Sequence, residues 1–401
     1  MKKILALILV LVMVLALGAC SNGDTASSTP PATSSTPPAS PSTPASPSQD
    51  ATKDPDKTET PGAAGTIGFV TDDVDHFARD SYHVVYFNYA PTNVSAQMAD
   101  ALGQLGEKYN FTIEHLTANS DADQFITNLQ TILIKNPDGL ILDIRQEFAS
   151  RTADILSNFD VPTIVLMNKA LDDEGREIIP GVIMDQYYNG QRQMEYLHSV
   201  YKEYWPDVDP GEITLLLLDN TASMEMTKRG EGVLNKWEEF FPGQTYYVGD
   251  GASASLNAEG GYDLANSLMA AHPEVKYWFV CAVMEDLALG ADRAVEALGK
   301  SDVVLITASG AAILPGEWDE GYDGCWIGNY AVSPFAYAGS GIFGLIALMD
   351  GRATKDTLWP DMFEPNDLAA RFMLKADIMT RDNYKQYLND IIRSFGIDVK
   401  D

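Results

Sequence analysis

The sequence predicts an α/β protein of two doubly wound, parallel-sheet lobes. Three observations carry that expectation. Short runs rich in β-branched and aromatic residues alternate with longer amphipathic stretches, the pattern of βαβ units whose sheets are covered on both faces. The runs fall into two consecutive series, Val84 to Met184 and Ile213 to Tyr330, each of ordinary domain size. Large apolar residues able to build a core are confined, after the first twenty positions, to residues from about 65 onward.

At the N-terminus Lys2 and Lys3 precede an unbroken apolar run, Ile4 to Leu17, followed by the small Gly18 and Ala19. That is the layout of a secretory signal over residues 1–19, and the run stops short of the roughly 20 apolar residues a membrane span requires. Leu17-Gly18-Ala19-Cys20 resembles the bacterial lipobox, in which the Cys20 thiol takes a diacylglyceryl group. The resemblance implies anchoring to the outer face of the cell membrane through lipid alone, since each buried methylene contributes about 0.8 kcal/mol. Residues 20–64 then read as a lipidated Cys and a disordered linker of Ser, Thr, Pro and Ala, a stalk with a reach of roughly 140 Å.

Within the remainder the expected strands are Val84 to Tyr89, Phe111 to Leu116, Gly139 to Asp143, Thr163 to Met167, Gly181 to Met184, Ile213 to Asp219, Thr245 to Val248, Tyr277 to Val283, Val303 to Thr307 and Cys325 to Tyr330. Helical patterns lie between most of them, at Val94 to Tyr109, Ala122 to Lys135, Phe148 to Phe159, Gln191 to Tyr204 and Leu287 to Leu298. Right-handed crossovers make each series doubly wound. Ligands of open α/β sheets bind beyond the carboxyl ends of the strands, so two lobes with those ends facing would enclose a cleft.

Several segments resemble the ribose-type periplasmic sugar-binding proteins, the type I solute-binding family that shares its fold with LacI-type repressor cores. They are Asn136-Pro137-Asp138-Gly139-Leu140-Ile141-Leu142, Val161-Pro162-Thr163-Ile164-Val165-Leu166, Arg229-Gly230-Glu231-Gly232, Ala271-His272-Pro273-Glu274-Val275 and Leu287-Ala288-Leu289-Gly290-Ala291. The resemblance implies a three-strand hinge, with the chain leaving lobe one near Met184, returning near Tyr330 and crossing again near Trp359. Lobe 1 is then residues 65–184 plus 330–358, and lobe 2 is 185–329 plus 359–401. Residues 66–82, with Asp72-Asp73-Val74-Asp75, fall outside the family pattern.

The same resemblance nominates binding residues. Arg229, directly before a Gly-x-Gly stretch, offers five donors in a planar fork suited to vicinal hydroxyls or a carboxylate. Asp185 matches a hinge acid that could accept from a solute or pair with Arg229; its alternative is a helix N-cap. Asn128 and Asn329 match amide positions that contact sugar, the alternatives being a solvent-facing helical residue and a strand-end turn residue. Tyr89 and Asn93 follow the first strand, where a flat ring with a hydroxyl and an amide suit a sugar face. The family's Asp-Arg pair after the fourth strand is replaced by Met167-Asn168, an Asn by Met284, an Asp by Ser309 and a stacking Phe by Leu256. A hydroxyl buried against such apolar groups without a partner loses about 1–3 kcal/mol, which argues for a less hydroxylated or partly apolar solute.

Other signals exclude function classes. The formal charge of −30 disfavours nucleic acid and anionic lipid as partners. His76, His83, His115, His198 and His272 lack metal-ligand spacing, and no acidic cluster has that of a calcium loop, so no cofactor or metal is expected. Gly339-Ser340-Gly341-Ile342-Phe343-Gly344 fits GxGxxG, but an apolar helical stretch surrounds it instead of a strand entering a helix. Cys281 and Cys325 sit in apolar runs and read as buried thiols, with a disulfide the alternative in an exported protein. The resemblance implies a monomeric, non-enzymatic receptor passing a sugar-like small molecule to an ABC permease. A sensor for a membrane signalling partner and an anchored hydrolase are the competing readings, the latter without any recognised catalytic motif.

Overall fold

The computed structural model describes residues 74–359 and 366–399. Cys20, the signal segment, the Ser/Thr/Pro tract and residues 66–73 lie outside the described residues. In the first lobe β1 (Tyr82–Asn88), α1 (Asn93–Tyr109), β2 (Phe111–Thr117), α2 (Ala122–Ile134), β3 (Gly139–Asp143), α3 (Ala149–Leu156), β4 (Thr163–Leu166) and β5 (Gly181–Met184) follow in order. The second lobe contains α4 (Gln186–Tyr204), β6 (Ile213–Asp219), α5 (Met224–Phe240), β7 (Tyr246–Asp250), α6 (Ala258–Ala271), β8 (Tyr277–Ala282), α7 (Glu285–Ala297), β9 (Val304–Ser309), α8 (Leu314–Asp319) and β10 (Trp326–Ala331). Then come α9 (Pro334–Met349), β11 (Arg371–Leu374), β12 (Asp377–Thr380) and α10 (Tyr384–Ser394).

Each series forms a six-stranded sheet. The first has the order β11-β5-β4-β3-β1-β2 and is parallel throughout; the second has the order β12-β10-β9-β8-β6-β7, parallel except for β12 against β10. Central strands such as β3, β4 and β5 are buried at every position, as parallel strands under two helical layers must be. Helix starts are set locally: Thr92, Asp121, Asp185, Ser223 and Asn257 each accept a backbone N–H of the first turn, and α9 opens with Ser333 and Pro334. Asn110, at φ 55°, takes the left-handed conformation that ends α1.

The first crossing falls at Asp185, between β5 and α4, and the second at Val332-Ser333, between β10 and α9. The third differs from expectation. β11 pairs with β5, so Arg371–Leu374 belong to the first lobe's sheet, and the chain crosses at Lys375-Ala376 rather than near Trp359. β11 and β12 carry charged residues at their ends and run only four residues each, too short and too polar at the edges to stand out as strands. α10 serves both lobes: Tyr384 donates to Asp319 of the second (2.7 Å), while Phe395 packs on Phe335 and Phe343 of α9. Within the span 359–401 expected in the second lobe, the described residues 366–399 therefore do not belong to that lobe alone.

Of the segment outside the family pattern, residues 74–82 are described and lead into β1. Asp75 caps a short turn, and Arg79 donates to the carbonyls of Asn110 (2.8 Å) and Tyr109 (3.0 Å) and meets Asp350 at 3.6 Å. The Gly339-to-Gly344 stretch lies in α9, buried, with Gly339 against Phe395, Gly341 against Leu166 and Gly344 against Trp359. Cys281 and Cys325 are free and buried, with β9 running between their strands; the Cys325 thiol donates to Asp292 (3.3 Å).

Glycine sets two helix pairs. A Cβ at Gly190 of α4 would lie 1.8 Å from the Arg229 carbonyl oxygen, and one at Gly232 of α5 would lie 2.0 Å from that of Tyr187. The Arg229-Gly230-Glu231-Gly232 stretch is thus the contact that draws α5 onto α4. Gly261 of α6 and Gly290 of α7 make the equivalent reciprocal approach. Gly190→Ala is expected to cost about 1–3 kcal/mol in urea unfolding, since backbone would have to move. Gly103→Ala on α1, where nothing lies within 4 Å, is expected to be neutral or to stabilise by up to about 1 kcal/mol.

Candidate functional site

The carboxyl ends of both sheets face a shared cavity of about 200 Å³. Asp143 ends β3, Met184 ends β5, Met284 follows β8 and Ser309 ends β9, and all four line it. From the first lobe come also Tyr89, Asn93, Arg145, Met167 and Asn168. The second lobe adds Glu225, Met226 and Arg229 from α5 and Glu285 from α7, while Gln186, Val332 and Tyr337 line it next to the crossings.

Arg229 is held hard in place. Its Nε (2.9 Å) and Nη2 donate to the Gln186 side-chain oxygen, and its Nη1 donates to the Val283 carbonyl. Neither partner is charged, and among the described residues no carboxylate lies within ion-pair distance, although only 8% of the residue is exposed. Burial pulls its pKa down to about 10, leaving it a cation at neutral pH. A desolvated charge without a counter-ion costs several kcal/mol, so this one is poised for a partner arriving in the cavity.

The first lobe's wall is built from two adjacent strand ends. Met167 has φ 69°, a conformation that L side chains rarely adopt, and this sharp turn after β4 brings Met167 and Asn168 together to the cavity. The Asn168 amide donates to Asp143 Oδ1 (3.1 Å) and to the Ile144 carbonyl (2.9 Å). Asp143 is buried, and burial pushes its carboxyl up to about 7, against the pull of Arg145 and of the Asn168 amide. Arg145 stands 5.5 Å from the Tyr89 ring, whose hydroxyl donates to the Ser120 carbonyl (2.8 Å).

Glu285 organises the opposite wall. It accepts from the backbone N–H groups of Ala312 (2.7 Å), Ile313 (3.2 Å) and Leu314 (3.1 Å), and from the Asn329 amide (2.9 Å). Burial raises its carboxyl to about 7. The loop it fixes then meets the other lobe, for Gln97 Nε2 of α1 donates to the Ala312 carbonyl (2.8 Å).

Of the residues expected from sequence, Arg229, Asn168, Tyr89, Asn93, Ser309 and Met284 come together in this cavity, and Met167 joins them. Four others do not. Asp185 is the exposed N-cap of α4, accepting from Tyr188 (2.9 Å), and it neither lines the cavity nor pairs with Arg229. Asn128 sits half-buried on α2 away from the cavity. Asn329 lies behind the wall, fully buried and fully bonded, accepting from Ala308 and Trp326 and donating to Glu285 and Gly310. Leu256 is exposed and packs near Gly251. Sequence reasoning missed Asp143, Arg145, Gln186 and Glu285; the strand-end rule alone would have found Asp143, the last residue of an apolar run. Among the described residues no cluster of His, Cys, Asp or Glu could hold a metal ion.

Residues 83–310 match the family described as periplasmic binding proteins and sugar binding domain of the LacI family. The L-arabinose-binding periplasmic protein of Escherichia coli is 23% identical over 234 residues, 57% of this chain and 66% of that protein. The E. coli ribose import binding protein is 22% identical over 214 residues, 53% of this chain and 67% of its own length. Among solved structures, an ABC transporter solute binding protein from Bacillus halodurans with bound myo-inositol gives a TM-score of 0.60 at 17% identity, covering 77% of this chain and 97% of the other. One from Actinobacillus succinogenes with bound D-allose gives 0.61 at 13% identity, covering 77% and 100%. These structural likenesses show the two-lobed fold, and the family match spans more than half of the sequence. The chain belongs to the family of periplasmic binding proteins and LacI-type sugar binding domains.

Proposed function

We propose that this chain is a lipid-anchored, extracytoplasmic receptor that captures a sugar or sugar-like solute in its interlobe cavity and delivers it to the permease of an ABC importer. The observation that carries this reading is the buried, carboxylate-free guanidinium of Arg229 at a cavity where the carboxyl ends of both sheets meet. A neutral polyol suits that cavity: its hydroxyls accept from Arg229 and donate to Asp143 or Ser309, while Tyr89, Met184, Met226 and Met284 cover its C–H faces. The methionines adapt their shape to the solute and leave fewer positions for hydroxyls than a wholly polar wall would. The few-residue crossings at Asp185, Val332-Ser333 and Lys375-Ala376 supply the hinge about which the lobes open and close. The relatives named for L-arabinose and ribose, and the neighbours solved with myo-inositol and D-allose, support the solute class.

Leu17-Gly18-Ala19-Cys20 and the Ser/Thr/Pro tract support the tether. Metabolic labelling with a radioactive fatty acid is expected to mark the full chain and to leave the Cys20→Ser chain unlabelled; equal labelling of both would refute the anchor.

A thermal-shift panel of L-arabinose, D-ribose, D-allose and myo-inositol tests the solute class. A member at a hundredfold excess over its Kd contributes about 2.7 kcal/mol, and a rise of several degrees in Tm is expected for at least one. A panel in which no member shifts Tm at millimolar concentration would contradict the sugar assignment.

A further inference from the structure

The interlobe cavity does not end at Arg145 and Asn168. A second, smaller space of about 100 Å³ adjoins it, sharing Arg145, Asn168, Ser223 and Glu225 with the cavity already described and adding Gln146, Glu147, Lys169 and Met224. Its walls come from both lobes: on one side the loop after β3 and the turn after β4, on the other the first turn of α5 with its cap Ser223. Met224 is 60% exposed, so this annexe reaches the surface. The first lobe's side of it is stapled together. The Gln146 side chain donates to the Leu171 carbonyl (3.0 Å) and accepts from the Leu171 N–H (3.3 Å), while Asn168 donates to the Ile144 carbonyl (2.9 Å). The groups with which a solute could bond are unpaired. Among the described residues the Arg145 guanidinium, the Lys169 ammonium and the carboxylates of Glu147 and Glu225 enter no hydrogen bond or ion pair. The Ser223 hydroxyl accepts from the Met226 N–H (3.4 Å) and keeps its own proton to donate. Two cations and two acids offset one another, so the annexe favours neither an anion nor a cation. Donors and acceptors beside a thioether suit a neutral ring with hydroxyls on its edge and C–H groups on its faces.

We propose that the annexe is a second sugar subsite, and that the solute is a glycoside of at least two units, one ring in the main cavity at Arg229 and the next between Lys169 and Met224. This rests on the sugar-receptor reading and specifies its solute. Arg145 and Asn168 stand where the two spaces join, so the linkage between the rings passes beside them. The second ring accepts from Lys169 and Arg145, donates to Glu147 or Glu225, and lays a C–H face on Met224. Lys169 belongs to the first lobe and Met224 to the second, so the full set of contacts to this ring exists only when the lobes stand together.

The test is calorimetry of the full chain with paired probes: L-arabinose against arabinobiose, myo-inositol against its galactoside galactinol, and D-ribose against its phosphate ester as the anionic arm. At least one two-unit probe is expected to bind at least about tenfold more tightly than its single-ring parent, the difference that hydrogen bonds to charged side chains supply. Lys169 and Met224 line the annexe and not the main cavity. The double variant Lys169→Ala with Met224→Ala is therefore expected to lose that gain of about tenfold and to bind the parent sugar within about twofold of the wild type. The comparison of probes on the wild type needs no variant, so it decides the matter should the double variant not fold. A single-ring sugar that binds while neither two-unit probe binds more tightly than its parent, or a gain that survives in a folded double variant, overturns this inference and leaves the receptor reading standing. A gain confined to the phosphate ester also overturns it, making the annexe an anion site. If no probe binds the wild type, both fall.

Discussion

A guanidinium buried between two helices and answered only by neutral groups sets the terms of the cleft. Arg229 can occupy that position because Gly190 and Gly232 let α4 and α5 approach at backbone distance. Its two oxygen partners come from unrelated parts of the chain. Gln186 is the first helical residue after the chain leaves the first lobe, and Val283 follows the end of β8. The same charge therefore ties the hinge, the second sheet and the helix pair together. Desolvation without a carboxylate leaves it in need of further acceptors, which a solute with several hydroxyls provides.

The two walls differ in how they are made rigid. In the second lobe Glu285 gathers three backbone N–H groups and the amide of Asn329, so the wall, its loop and β10 move as one piece. That loop carries the carbonyl to which Gln97 of the first lobe donates, a contact that opening of the cleft would break. In the first lobe rigidity comes from the sheet itself, with Asp143 at the end of a strand buried along its whole length and Asn168 on a strained turn beside it. A solute bridging Asp143 and Arg229 would add to the Gln97 bond across the mouth and would so favour a closed form.

The ten strands expected from β-branched runs all form, because parallel strands under two helical layers are apolar along their length and stand out against the amphipathic helices. The cavity residues were legible where a motif fixed a backbone approach, as the glycines after Arg229 do. They were not legible where one residue type serves two roles. Asp185 reads equally as a cap or a ligand, and the cap prevails because the α4 N-terminus needs an acceptor and its first residue, Gln186, already takes Arg229. Asn329 is an amide in the expected place whose four bonds are all consumed by the wall behind the cavity. Asp143 was open to the strand-end rule as the polar last residue of an apolar run, but its pairing with Asn168 from the turn after β4 is assembled only by the fold. β11 escaped notice since a four-residue edge strand between charged residues carries almost no periodic signal.

The most direct measurement compares Arg229→Ala and Arg229→Lys with the wild type in calorimetry, using whichever panel sugar stabilises the wild type most. A charged hydrogen-bonding group contributes about 1.5–3 kcal/mol, so Arg229→Ala is predicted to weaken binding by roughly tenfold to a hundredfold or more. Arg229→Lys should lose most of that affinity too, because a point charge cannot reproduce the fork held by Gln186 and Val283. Unchanged affinity in a folded Arg229→Ala chain would contradict the account.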